Sequence, residues 1–220
     1  MSLSSSPRLI KGGLVVLDAA SGAVKRTIAL QYNPDTLSRS YQVQGVGGEG
    51  GGDRAQPFRL KGPAIETIKL EAEIDATDSL ERPDQNANAV QYGIAPQLAV
   101  LESLVNPTTA ELLALNAQSR SGTLEILPPE APLVLFIWSS SRVVPVRVTD
   151  FSITEEAFDA ALNPTRAKVS LGLRVMTTDD LGFDHRGGSI FINHLRTREA
   201  LAGKTGAASL QSLGLTNLPQ

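Results

Sequence analysis

Apolar and polar residues alternate most regularly between residues 166 and 175. The apolar parity consists of Ala167, Val169, Leu171, Leu173 and Val175. The other parity is polar or small and consists of Arg166, Lys168, Ser170, Gly172 and Arg174. A period of two is the spacing of side chains on one face of a β-strand. The chain must therefore build a sheet that buries one face of this strand.

Weaker forms of the same pattern raise the predicted number of strands to about eight. The further strands are predicted at residues 9–17, 24–32, 37–43, 67–74, 123–127, 133–138 and 143–153. The first two flank a turn-forming segment and should pair as a hairpin, and the strand at 37–43 should bury one face. The apolar parity shifts between Val148 and Phe151, which is what a β-bulge would produce.

Helical spacing occurs in the middle and near the end of the chain. Ile94, Leu98 and Leu101 recur at three- and four-residue intervals, and Asn106-Pro107 should end that helix. Thr108 and Glu111 have capping-box spacing and predict a shorter helix over 108–117, and a C-terminal helix is predicted over 189–202. The fold class predicted is mainly β with minor α: an antiparallel sandwich or barrel with a flanking central helix and a C-terminal helix.

Three segments follow from these patterns. Residues 1–8 are predicted to be a flexible leader, and residues 9–178 a single β domain. Within that domain residues 45–57 contain six glycines, which predicts a mobile loop. Residues 179–220 should hold a linker, the C-terminal helix and a tail.

Composition excludes several classes of function. The 220-residue chain has a net charge of -3, which argues against nucleic acid as a partner. It has no cysteine, so disulfides and thiolate metal ligands are excluded. No apolar run approaches the ~20 residues that span a bilayer, so direct membrane insertion is not expected. The start of the sequence does not resemble a secretory signal, and we expect the protein to be cytoplasmic on synthesis.

The candidate chemical motifs all favour a non-catalytic interpretation. Residues 45–50 match G-x-G-x-x-G, but no apolar helix follows to place its N-terminus against a pyrophosphate. Asp184-His185 lies in a glycine-flanked linker, and His194 is expected at the surface or at an interface. Four acidic residues close together in sequence could suggest a cation site, but we interpret them as solvated charge. They are Glu71, Glu73, Asp75 and Asp78. We therefore expect no catalytic residue, no cofactor and no metal, and no enzyme activity.

Two other classes of function fit the sequence less well. A small-molecule-binding or hydrolytic β-barrel protein would need a deep apolar pocket with convergent polar groups, for which the sequence offers no set of residues. A glycan-binding module would need exposed aromatic platforms. The chain has one Trp, three Tyr and six Phe, most of them on core parity.

Three segments together resemble a known family. They are residues 31–41 (Gln-Tyr-Asn-Pro-Asp-Thr-Leu-Ser-Arg-Ser-Tyr), residues 92–102 (Tyr-Gly-Ile-Ala-Pro-Gln-Leu-Ala-Val-Leu-Glu) and residues 146–155 (Val-Arg-Val-Thr-Asp-Phe-Ser-Ile-Thr-Glu). A shorter match follows at Phe158-Asp159 and 162–164. Their order and spacing over residues 9–178 resemble the tube-like N-terminal domain of contractile injection system and phage tail-tube-initiator proteins.

The resemblance implies a structural subunit. Six copies would form a ring at the baseplate, joining the central spike protein to the inner tube protein and contacting other baseplate subunits. The implied particle could be released extracellularly once assembled. Many such proteins carry a LysM module after this domain, but residues 179–220 show no such pattern. The residues expected at interfaces are Tyr32, Asn33, Pro34, Gly47, Gly48, Gly51, Phe58, Phe191 and Ile192.

Overall fold

A computed structural model describes residues 9–18, 21–45, 60–120, 131–206 and 208–218. Its strands are β1 Gly13–Leu17, β2 Val24–Ala29, β3 Leu37–Gln42, β4 Ile65–Asp75, β5 Leu133–Ser139, β6 Arg142–Phe158 and β7 Pro164–Val175. Its α-helices are α1 Thr77–Leu80, α2 Ala87–Tyr92, α3 Ala95–Glu102, α4 Thr109–Arg120, α5 Thr178–Leu181 and α6 Arg186–Ala202. Two 3-10 turns lie at Pro83–Gln85 and Leu210–Leu213.

The seven strands form one sheet in the order β2-β1-β5-β6-β7-β4-β3. All six neighbouring pairs are antiparallel. The mainly β, antiparallel fold with central and C-terminal helices is therefore confirmed. The predicted leader, the strand at 123–127 and all but Gly45 of the loop at 45–57 lie outside the described residues.

Strand β7 lies at the centre of the hydrophobic core. It pairs with β4 on one side and with β6 on the other, so that Leu171 lies opposite both Leu70 and Phe151. Its whole apolar parity is buried, as the alternation predicted, and so are Ile68 and Ala72 of β4. Each such leucine or isoleucine contributes about 1.5–3 kcal/mol through burial. The apolar side chains that alternate so regularly in the sequence of β7 therefore form the centre of the hydrophobic core.

The predicted irregularity in β6 is a bulge. Val148 pairs with Leu173 and Asp150 with Gly172, so the register shifts between Val148 and Asp150. The extra residue moves the apolar side chains to the other parity. The strand then continues to Phe158, past its predicted end, because its pairing with β7 extends to Pro164.

The helices of residues 77–120 are inserted between β4 and β5, and the junction of α2 and α3 docks on the end of the β6–β7 hairpin. The backbone N–H of Ile94 donates to the carbonyl of Pro164 at 2.8 Å. Gly93, which precedes it, has φ +58°, and a Cβ there would collide with that carbonyl. Ile94, Leu98 and Leu101 are buried, which confirms the apolar face of the predicted central helix. Glycine is thus required where the insertion meets the sheet.

The second central helix, α4, is also confirmed, and its capping box is formed. The side chain of Glu111 accepts from the backbone N–H of Thr108 at 2.7 Å. In return, the backbone N–H of Glu111 donates to the hydroxyl of Thr108 at 3.3 Å. These two bonds satisfy N–H groups that the start of a helix leaves unpaired.

One prediction for β3 is wrong. Only Leu37 packs against the core, whereas Tyr41 is 40% exposed and Val43 is 68% exposed. The strand pairs only with β4 and forms an edge of the sheet. The strand therefore extends beyond the hydrophobic core, and its alternation does not bury the apolar residues after Leu37.

Two side-chain amides after β2 complete the hydrogen bonding of other segments. Gln31 donates to the carbonyl of Asp75 at 2.7 Å and accepts from the Asp75 N–H at 3.0 Å. Asn33 likewise donates to the carbonyl of Ile10 at 2.8 Å and accepts from the N–H of Gly12 at 2.9 Å. Each amide supplies one donor and one acceptor, as a backbone residue of a neighbouring strand would. Gln31 thereby ties the chain after edge strand β2 to the end of β4.

Replacing Gln31 with Ala removes both bonds to Asp75 and should lower the free energy of unfolding by about 1–3 kcal/mol. Urea denaturation measures this loss. The matched control is Gln42→Ala, since Gln42 is exposed on β3 and its side chain makes no hydrogen bond within the described chain. The control should change stability by less than about 0.5 kcal/mol. Equal effects of the two substitutions would contradict the role given to Gln31.

Candidate functional site

The interface residues predicted from sequence differ in how exposed they are. Tyr32 is exposed, while Asn33 is hydrogen-bonded to its own chain as described above. Phe191 is buried in the core, and Ile192, which follows it on α6, is half-buried. Pro34 is also half-buried. The others lie outside the described residues, and they are Gly47, Gly48, Gly51 and Phe58. Contact of these residues with another subunit stays a prediction.

Helix α4 leaves its apolar side chains uncovered. None of its 12 residues is buried. Leu112 is 52% exposed and Leu113 is 64% exposed. A helix of this length is marginal in water on its own, and protein helices gain most of their stability by packing an apolar face. The helix is therefore suited to dock on something other than the described part of its own chain.

Apolar side chains are also uncovered at the sheet margins. Val24 lies exposed on edge strand β2, and Phe158 and Leu162 lie exposed at the end of the β6–β7 hairpin. Unpaired edges and apolar surface are features that assembled proteins cover with a neighbour. Together with α4, these residues are a candidate interaction surface.

A second candidate site lies on the core side of the sheet, at one end of the core. We call it the glutamate–arginine cluster, and it consists of Arg39, Tyr41, Glu66, Arg142, His194 and Arg198. Glu66 has the parity of Ile68 and Leu70 on β4, and only 4% of it is exposed. Arg142 has the parity of buried Val144 and Val146 on β6. Charged residues thus continue the apolar rows where the core ends.

Several groups contact the carboxylate of Glu66. The hydroxyl of Tyr41, directly opposite on β3, donates to it at 2.8 Å. Arginine nitrogens lie 3.5 Å away in Arg39 and 3.6 Å away in Arg198. Both guanidinium groups also lie near the Tyr41 ring, with their carbons 5.9 Å and 5.2 Å from its centroid. Burial, followed by the hydrogen bond to Glu66, raises the pKa of Tyr41, so the phenol stays protonated and donates.

Two polar groups of the cluster have no partner within the described chain. The guanidinium of Arg142 makes no hydrogen bond or ion pair there, and burial followed by repulsion from Arg39 lowers its pKa. His194 is 5% exposed, and its buried Nδ1 has no hydrogen-bond partner. The expectation that His194 lies at the surface is therefore wrong. Packing of α6 over the sheet buries the imidazole, which lowers the pKa of His194.

Sequence reasoning missed this cluster, although a signal was present. Glu66 and Arg142 each occupy the apolar parity of a strand, which is an unusual place for an unpaired charge. Placing these two residues in one cluster requires the strand order and the position of α6. His194 and Arg198 are four residues apart and share one helix face, which sequence spacing alone allows.

A groove of about 300 Å³ is the remaining candidate for chemistry. Its lining is mostly apolar, and its polar side chains are Arg147 and His185. The His185 ring accepts from the backbone N–H of Gly187 at 3.0 Å and caps α6. The lining offers no hydroxyl or thiol nucleophile and no carboxylate beside this histidine. The groove therefore does not favour the hydrolytic alternative.

Within the described ranges, no three His, Cys, Asp or Glu side chains come together as a metal site would require. None of the helices described is both long enough and apolar enough to cross a membrane. No protein-family model matches the chain, and comparison with curated proteins finds no match either.

Replacing Glu66 with Gln leaves three guanidinium groups without their shared countercharge. Because two of the arginines are partly exposed, the expected loss of stability is about 1–2 kcal/mol. The loss should shrink in roughly 1 M salt, which screens the arginines from one another. Urea denaturation at low and high salt measures both effects.

The control for this substitution is Glu71→Gln, on the exposed parity of the same strand. It removes the same charge and should change stability by less than about 0.5 kcal/mol. A loss at Glu66 that is no larger than the loss at Glu71, or that does not depend on salt, would contradict the account.

The buried imidazole of His194 predicts a pH dependence. Its pKa is lowered from 6.5 in the folded state, so below that pH the unfolded chain binds more protons. The stability that neutral His194 contributes is present above pH 6.5 and is lost as the pH falls. His194→Gln should therefore lose less stability than the wild type between about pH 8 and about pH 5.5. Urea denaturation across that range tests this, and identical slopes for the two proteins would refute it.

Proposed function

We propose that this protein is a structural subunit of a contractile injection system, a phage tail-like particle. In this proposal it forms a ring at the baseplate that joins the central spike protein to the inner tube protein. The observation that carries the proposal is the uncovered surface: helix α4 buries no residue, and two sheet edges are unpaired in the described chain. The resemblance of residues 9–178 supplies the particular assembly.

The fold suits a ring subunit in physical terms. A neighbour that covers Leu112 and Leu113 would remove apolar surface from water, at roughly 25 cal/mol for each Å². Contacts between two different surfaces of one chain repeat from copy to copy and close into a ring when the rotation allows it. The resemblance sets the expected number of copies at six, with the tube, the spike and other baseplate subunits above and below.

The place of action follows from the same proposal. The subunit would be made in the cytoplasm and could leave the cell as part of the assembled particle. The runner-up function, a small-molecule-binding or hydrolytic barrel, finds no nucleophile among the described residues that line the groove containing His185. We therefore assign the protein no enzyme activity in this proposal.

The double substitution Leu112→Glu with Leu113→Glu should prevent assembly, because it places two charges on the surface that a neighbour covers. We expect sedimentation velocity to show an oligomer for the wild type, alone or with spike protein added. The variant should sediment as a 23.3 kDa monomer. Circular dichroism should be unchanged, since both leucines are exposed in the single chain.

The matched control is Ala114→Glu with Gln118→Glu, which adds the same charge on the opposite face of α4. It should still assemble. A wild-type protein that stays monomeric and ignores spike and tube proteins would overturn the proposal, and so would a leucine variant that assembles like the wild type.

A further inference from the structure

We propose that the glutamate–arginine cluster is a binding site for a small oxyanion, a phosphate or carboxylate group. The inference is independent of ring assembly, since it rests on groups within one chain. The cluster lies where the core-facing side of the sheet ends and apolar rows give way to charged side chains. Its residues come from three separate parts of the fold: strands β3 and β4, the start of β6, and helix α6.

The charge of the cluster is unbalanced. It contains one carboxylate, Glu66, and three guanidinium groups, those of Arg39, Arg142 and Arg198. Two of these already contact Glu66. Arg142 makes no salt bridge within the described chain, so the three guanidinium groups share the single countercharge of Glu66 and leave an excess of positive charge. Like charges repel more strongly near a protein interior than in water, so a bound anion would relieve this repulsion.

The cluster also contains polar groups whose hydrogen-bonding capacity is unused, which a bound anion could satisfy. A guanidinium carries five N–H donors in a planar fork, and Arg142 donates none of them within the described chain. His194 contributes a second unsatisfied group, because its buried Nδ1 lacks a partner. The imidazole belongs to the same cluster, since Glu66, Arg198, Arg142 and Arg39 all influence its pKa. Buried polar groups without partners are rare unless a ligand or water satisfies them.

Contacts within the cluster orient two of its arginines, Arg39 and Arg198, without an anion. Tyr41 donates to Glu66 and accepts from Arg39 at 3.0 Å, and its ring lies beside Arg39 and Arg198. Glu66 is buried, while both of these arginines are partly exposed. A small anion can therefore approach from solvent and meet guanidinium groups that a carboxylate already orients.

The chemistry of the donors identifies the class of ligand. Planar guanidinium forks match the paired oxygens of carboxylate and phosphate groups, and such pairs are stronger than single contacts. A spherical halide cannot use the paired geometry. We therefore expect the site to prefer phosphate or a carboxylate over chloride at the same ionic strength.

Isothermal titration calorimetry of the full chain tests this, with inorganic phosphate and citrate titrated separately at constant ionic strength and chloride as the reference anion. We expect saturable binding of phosphate, citrate or both, and Arg142→Gln should weaken it at least tenfold. The matched control is Arg147→Gln, which removes the same charge from an exposed position on the same strand. It should change the affinity by less than twofold.

Thermal unfolding without added anion separates binding from structure. Arg142 makes no hydrogen bond or salt bridge within the described chain, and burial and repulsion from Arg39 disfavour its charge, so Arg142→Gln should melt at or above the wild-type temperature. Heats no larger than those of chloride, equal losses in the two arginine variants, or a marked drop in the melting temperature of Arg142→Gln would each overturn the proposal. Binding of only one of the two anions supports it and identifies the group.

Discussion

The buried face of strand β7 is the constraint on which the rest of the structure depends. The strand pairs with both β4 and β6, and its five apolar side chains are almost completely removed from water. This burial fixes the register of β4 and β6 against β7. A strand that slipped by one residue would turn its apolar side chains to the other face of the sheet. The same register carries Glu66 and Arg142 to the end of the core, where the apolar rows give way to charge.

Local pattern predicted the strands of the sheet and helices α3, α4 and α6, but it missed the short helices α1, α2 and α5 and did not give the arrangement of the elements. Alternation located β7, the parity shift located the bulge after Val148, and the spacing of Thr108 and Glu111 located the capping box. These signals depend only on neighbours in sequence. Strand order depends on contacts between distant residues, so the amide of Gln31 against Asp75 could not be predicted. Burial of His194 and the contacts of Glu66 with Arg39 and Arg198 were missed for the same reason.

The molecule presents two kinds of surface with different chemistry. Helix α4, the margin of β2 and the end of the β6–β7 hairpin are apolar and uncovered, which suits contact with large protein neighbours. The glutamate–arginine cluster is small and polar, and buried Glu66 contacts two of its arginines, which suits a small anion. One chain can carry both, because the first surface lies on the outside of the fold and the second lies at the end of its core.

Hydrogen–deuterium exchange along residues 109–120 tests most directly whether another copy covers α4. The backbone amides of an uncovered helix of this length should exchange rapidly, since the helix opens often. The account predicts slow exchange in concentrated protein and fast exchange after dilution to the monomer, with β7 protected in both. Fast exchange of α4 at every concentration, with spike and tube proteins present, would contradict the proposal that this surface is an interface.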